Sequence, residues 1–191
     1  MKKLVTTLAA ILCIATAANA QVGNIVTMKT TNTNATTVYV QYNSSGTITA
    51  NGVSMNNGSS TSIMPNAADS TITITTTGNI KLTYLDVYGC SLTELNVSQA
   101  VYLDTLGCFN NKLDKLDVSK NTALTRLYCS SNKLETLDVS KNTALTYLNC
   151  PNNQLTALDV SKNTALTYLY AEGQQIEVLF LSGASSFSNP L

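Results

Sequence analysis

From Leu82 onward the chain repeats itself every 21 residues, with copies opening at Leu82, Leu103, Leu124, Leu145 and Leu166. No other feature narrows the possible folds as much, because self-similarity at a fixed short period is the mark of a stacked array. The clearest copies are LTRLYCSSNKLETLDVSKNTA (124–144) and LTYLNCPNNQLTALDVSKNTA (145–165). Each divides into halves of 10 and 11 residues, both of the form L-x-x-L-x-φ-x-x-N with φ apolar. In copy 124 these positions are Leu124, Leu127, Cys129, Asn132 and then Leu134, Leu137, Val139, Asn142. Apolar residues two apart point to one side of an extended segment, and the Asn turns the chain while its amide bonds backbone groups at the corner. One copy exposes an apolar edge that it cannot bury, so only stacking completes a core and supplies the interstrand hydrogen bonds.

The motif LDVSKNTA stands at 116–123, 137–144 and 158–165. With the preceding LxxLxCxxNxL it resembles bacterial secreted leucine-rich-repeat proteins of internalin-like type, over residues 82–186. The resemblance implies a solenoid with a protein- or ligand-binding role at the cell surface, and it implies no enzyme activity. Such proteins carry a Thr-rich β segment before their repeats, so residues 21–81 fit as an N-terminal cap. The expected fold is mainly β: a leucine-rich-repeat solenoid of about five 21-residue coils preceded by a small all-β cap, divided as 1–20, 21–81 and 82–191. The outer copies depart from the pattern. Val87 replaces the ladder Cys and Cys90 the first Asn in copy 82; Ala171 and Gln174 do so in copy 166, as suits end repeats. Phe180, Leu181, Phe187 and Leu191 leave the C-terminal end apolar. Phe187 folding back, a partner, or further chain would cover it.

Residues 21–81 hold 14 Thr and only three charges, Lys29, Asp69 and Lys81. Thr71-Ile72-Thr73-Ile74 alternates with the period of a half-buried strand. Ile25–Met28 and Val38–Val40 read as further strands, Asn51-Gly52 as a hairpin turn, and 56–60 and Pro65-Asn66 as turns. Five or six strands are expected. Ahead of them, Lys2-Lys3, the apolar run Leu4–Ala17 and Ala18-Asn19-Ala20 make a secretory signal peptide cut before Gln21. The run is short for a membrane span, and Ala10-Ile11-Leu12 lacks the small residue that acylation at Cys13 needs. The expected location is outside the cytoplasm: extracellular, cell surface or periplasm.

Eleven basic and eleven acidic residues give a net charge of zero, which argues against nucleic acid as a partner. The chain has no His, so Ser-His-Asp, Cys-His and HExxH chemistry are all excluded. No assembled acid, base and nucleophile is visible, and neither enzyme activity nor a cofactor is expected.

Two ladders run through the repeats. Cys108, Cys129 and Cys150 occupy one inward position. Stacking sets them about 4.8 Å apart with parallel Cβ vectors, too far for the ~3.8 Å of a disulfide, so they read as buried free thiols. Asp117, Asp138 and Asp159, with Asn96 before them, form the second ladder. Its repulsion is offset by Ser119, Ser140 and Ser161, by turn amides and by Lys120, Lys141 and Lys162; calcium is the alternative.

The outward face of the first half-repeat carries seven of the twelve aromatic residues. Tyr84, Tyr88, Phe109, Arg126, Tyr128, Tyr147, Asn149, Tyr168 and Tyr170 are the candidate binding residues. Tyr gives large contact area, few rotors and a hydroxyl; the same residues also suit a β surface that merely stacks. The expected function is recognition of a protein partner, host or bacterial, through this strip. The alternatives are glycan binding on the same Tyr residues, or a structural piece of a larger surface assembly.

Overall fold

The computed structural model of the protein describes residues 23–43, 47–77, 80–174 and 176–180. The signal peptide read at 1–20 and the tail residues Leu181, Phe187 and Leu191 lie outside them. Among the described residues there are strands and turns and no helix, so none is long and apolar enough to cross a membrane. Six strands precede the repeats: β1 (Gly23–Thr30), β2 (Thr36–Asn43), β3 (Ile48–Ala50), β4 (Val53–Met55), β5 (Ser59–Ile63) and β6 (Thr71–Thr76). The first copy supplies β7 (Lys81–Asp86) and β8 (Leu92–Asn96), one from each half. Then come β9 (Thr105–Gly107), β10 (Arg126–Tyr128), β11 (Tyr147–Asn149), β12 (Ala157–Asp159), β13 (Tyr168–Tyr170) and β14 (Val178–Phe180).

The expected strands at 25–28, 38–40 and 71–74 fall within β1, β2 and β6. Asn51 and Gly52 join β3 to β4 with φ of 47° and 81°, the two left-handed residues that a twisted two-residue hairpin requires. The turn expected over 56–60 is shorter, because Ser59 and Ser60 already pair with Val40 and Tyr39 on β2. Alternation does its work on β6, where Ile72 and Ile74 are fully buried and the intervening Thr residues half-buried.

The two sheets of this segment continue directly into the repeats. One runs β4-β3-β6-β1-β8, the other β5-β2-β7-β9-β10-β11-β13. β1 and β2 are antiparallel to β8 and β7, so both edges of the first coil are closed by hydrogen-bonded strands, and a bare solenoid edge is avoided. From β7 to β13 the pairing is parallel and in register, Tyr84 beside Thr105, Arg126, Tyr147 and Tyr168. One apolar cluster extends without a break from Val26 and Val38 to Leu169 and Ala171.

The corner Asn residues act as expected. The Asn132 side chain donates to the Cys108 and Cys129 carbonyls at 3.0 and 3.1 Å and accepts from the Leu113 amide at 3.1 Å. Asn153 repeats this one coil on, and Gln174 reproduces it in the degenerate last copy, at 3.2, 2.9 and 3.4 Å. Each amide thus ties its own coil to the previous one.

Two expectations change. Among the described residues the solenoid makes about four turns where about five coils are expected, the five first-half strands β7, β9, β10, β11 and β13 being separated by four turns of chain. Strands also form in every first half but not in every second half: residues 114–117 and 135–138 are irregular. Leu116, Val118, Leu137 and Val139 are nonetheless buried. Burial there requires only that the side chains point inward, while bonds from the Lys133 N–H to the Leu113 carbonyl at 2.8 Å and from the Asn142 side-chain amide to the Val118 and Asn121 carbonyls at 3.0 and 2.9 Å hold the backbone.

Candidate binding face

Parallel, in-register strands place residues of the same outward position side by side. The face therefore reads in ladders: Tyr84, Thr105, Arg126, Tyr147, Tyr168, and beside it Asp86, Gly107, Tyr128, Asn149, Tyr170. All nine candidate residues lie on this sheet or its immediate continuation, but they do not form one even strip. Tyr147 is the hub of a C-terminal cluster, with ring centroids 5.0 Å from Tyr128 and 5.7 Å from both Tyr168 and Tyr170. Tyr88 and Phe109 stack at 5.1 Å with planes 9° apart. Tyr84 belongs to neither group. It packs edge-on against Tyr39 of β2 at 5.3 Å. Arg126 is exposed on β10, and Asn149 is half-buried on β11.

Tyr39 and Gln41 extend the face onto the N-terminal segment. They sit opposite Asp86 and Tyr84 across the β2–β7 pairing, and the Gln41 amide donates to the Tyr39 hydroxyl at 2.8 Å. The repeat period could not reveal them, because β2 lies outside the repeat. The available signal was the alternation of Val38 and Val40, both buried, with Tyr39.

Between the two aromatic groups the face is interrupted at the coil of Leu103. Thr105 and Gly107 hold outward positions yet are buried beneath their neighbours. The missing side chain of Gly107 opens a depression of about 430 Å³. A Cβ at this position would stand 2.9 Å from Asp86 Oδ1. Asp86 is half-buried, its Oδ1 accepting from the Tyr88 amide at 3.1 Å, and burial pushes its carboxyl above the ordinary carboxylate range. Burial also raises the Tyr84 hydroxyl, with Asp86 adding to it, and the Tyr128 hydroxyl, with Tyr147 adding to it.

Away from this face, the four described cysteines are free and buried, which for Cys108, Cys129 and Cys150 is what their spacing leads one to expect. Burial pushes the Cys108 and Cys150 thiols up to about 12, and Cys129 well above its ordinary value. The Asp ladder is built from turns: Asp117, Asp138 and Asp159 accept from the Ser119, Ser140 and Ser161 amides at 2.9, 2.8 and 2.8 Å. Hydrogen bonds from these serines hold all three carboxyls below their ordinary value. Among the described residues no group of three or more His, Cys, Asp or Glu is placed to hold a metal ion.

No protein-family model matches the chain, and no curated protein matches it. Solved structures do. The functional domain of InlJ from Listeria monocytogenes, which includes a cysteine ladder, is 36% identical over 54% of this chain and 28% of its own, with a TM-score of 0.45. An internalin, InlF, from Listeria monocytogenes strain 4b F2365 is 22% identical over 49% of this chain and 32% of its own, with a TM-score of 0.39. The chain thus spans about a third or less of the length of these structures. By its own repeat geometry the chain is a leucine-rich-repeat solenoid, and over about half its length it is similar to Listeria internalins.

Proposed function

We propose that this is an exported binding protein that recognises a protein partner through the aromatic face of its long sheet. The observation that carries the reading is the cluster of Tyr128, Tyr147, Tyr168 and Tyr170 on that face. Tyr168 is 43% exposed and Tyr88 55%, so much apolar ring surface faces water. Rings braced against one another lose little further entropy on binding, and rigid aromatic area with hydroxyl rims suits a protein surface. Export follows from the basic, apolar and A-x-A pattern of residues 1–20, and the N-terminal sheets serve as the cap of the solenoid.

The test is capture from envelope and host-surface extracts by the unaltered protein beside Tyr128→Ser, Tyr147→Ser, Tyr168→Ser in one chain. Loss of a captured protein with the circular dichroism spectrum unchanged is the expected result. Full retention overturns the proposal, and binding of polysaccharide in place of protein turns the same face into a glycan site.

A further inference from the structure

The aromatic face holds a recess at Gly107 whose lining is not that of the rest of the strip. Around the Gly107 depression stand the rings of Tyr84, Phe109 and Tyr128 and the carboxylates of Asp86 and Asp104, with Arg126 among the lining residues. Two carboxylates against one guanidinium leave the recess with a net negative charge, and ring faces add to its negative potential. Asp104 is held in place by hydroxyl donors, Thr125 at 2.7 Å and Thr105 at 3.0 Å. Asp86 has only the Tyr88 amide, and no cation lies within ion-pair distance of it among the described residues. A half-buried carboxylate with no counter-charge is costly, and a cation relieves that cost where a neutral hydroxyl does not. Because Gly107 has no side chain, the carboxylate can be reached from the face.

We propose that the Gly107 recess is a specificity pocket that takes the arginine side chain of a partner segment lying along the sheet. This rests on reading the face as a protein-binding surface. Arginine fits better than lysine, since a planar guanidinium stacks on Tyr and Phe rings while its edge meets a carboxylate in two parallel hydrogen bonds. Arg126, the one like charge of the lining, weakens the occupant's binding and disfavours a second cation.

The probe is the blocked tripeptide acetyl-Gly-Arg-Gly-amide, beside its citrulline and glutamate counterparts and a linear glucan oligosaccharide. Binding is read from the backbone amide shift of Gly107 and by calorimetry. The arginine peptide should saturate with a Kd of about 1 mM, and the neutral citrulline peptide should bind about tenfold more weakly or not at all. Asp86→Asn, nearly isosteric, should cost about tenfold with an unchanged near-ultraviolet tyrosine spectrum. Arg126→Gln should tighten arginine binding, an effect no merely structural role produces. Absence of a saturable shift, equal binding of citrulline, preference for glutamate or the oligosaccharide, or weakening by Arg126→Gln each overturns the proposal. Tyr147→Ser with Tyr168→Ser lies outside the recess and should leave peptide binding intact while abolishing capture of a protein partner. Loss of capture without arginine binding therefore removes the pocket and keeps the face; arginine binding without any captured partner does the reverse.

Discussion

At the scale of single residues, the coils depend on a few side chains that repeat one task. The corner amides do most of it. Asn132 is buried and bonded to two successive coils; Asn132→Ala takes the acceptor from the buried Leu113 amide, while the Cys108 and Cys129 carbonyls keep a second donor in Asn111 and Asn153, and should destabilise the fold by about 2 kcal/mol, read from the urea midpoint. A second position is a backbone one. Gly89, Asn110, Ser131, Asn152 and Gly173 stand 21 apart, all with φ between 53° and 69°. These left-handed residues just before the corner were visible in the sequence as a run of Gly, Asn and Ser, but small polar residues are common in any turn, so the backbone strain did not stand out. A Cβ on Gly89 meets nothing closer than 3.7 Å, so Gly89→Ala should cost only the conformational strain, about 1 kcal/mol. The ladder thiols are inert for the converse reason. With Cys108 and Cys150 pushed up to about 12 by burial, almost no thiolate exists there at neutral pH, and a thiol reagent should label Cys108, Cys129 and Cys150 only as fast as the protein unfolds. Rapid labelling of any of these three in the folded protein, located by peptide mapping, would contradict the buried ladder.

At the scale of elements, the Asp turns make the solenoid acid-sensitive in a defined direction. Asp117, Asp138 and Asp159 are held below their ordinary value near 3.8 by serine hydrogen bonds. A depressed carboxyl contributes stability above its unfolded pKa and loses it as pH falls through the depressed value. Unfolding midpoints should therefore fall below about pH 4, and the triple Asn variant should flatten that limb. Asp86 has the opposite sign, because burial raises its carboxyl, so acid relieves it; Asp86→Asn should leave the midpoint at neutral pH equal or higher. A triple variant with the full acid limb would show that these turns do not set it.

At the scale of the molecule, the N-terminal strands and the coils share sheets and one core. They should unfold in a single transition. Val38 is fully buried on β2, and Val38→Ala should cost about 2 kcal/mol. Amide exchange in β10 and β11 should quicken together with that in β2; a loss confined to the N-terminal strands would make them a separate unit.

The repeat period, the inward Leu, Cys and Val positions, the corner amides and the outward Tyr ladder were all legible in the amino-acid sequence. Each depends only on contacts between equivalent positions, and a 21-residue period states those contacts outright. The pairing of β2 with β7 and of β1 with β8 was not legible, because antiparallel partners outside the repeat share no periodic signal. Tertiary structure alone therefore added Tyr39 and Gln41 to the face. It also decided which outward residues touch. Parallel register carries Tyr147 against Tyr128, Tyr168 and Tyr170, while the sunken coil of Thr105 and Gly107 splits the strip and opens its recess. Periodicity places a side chain on a face; how deep it lies there is set by the bulk of its neighbours in the coils on either side.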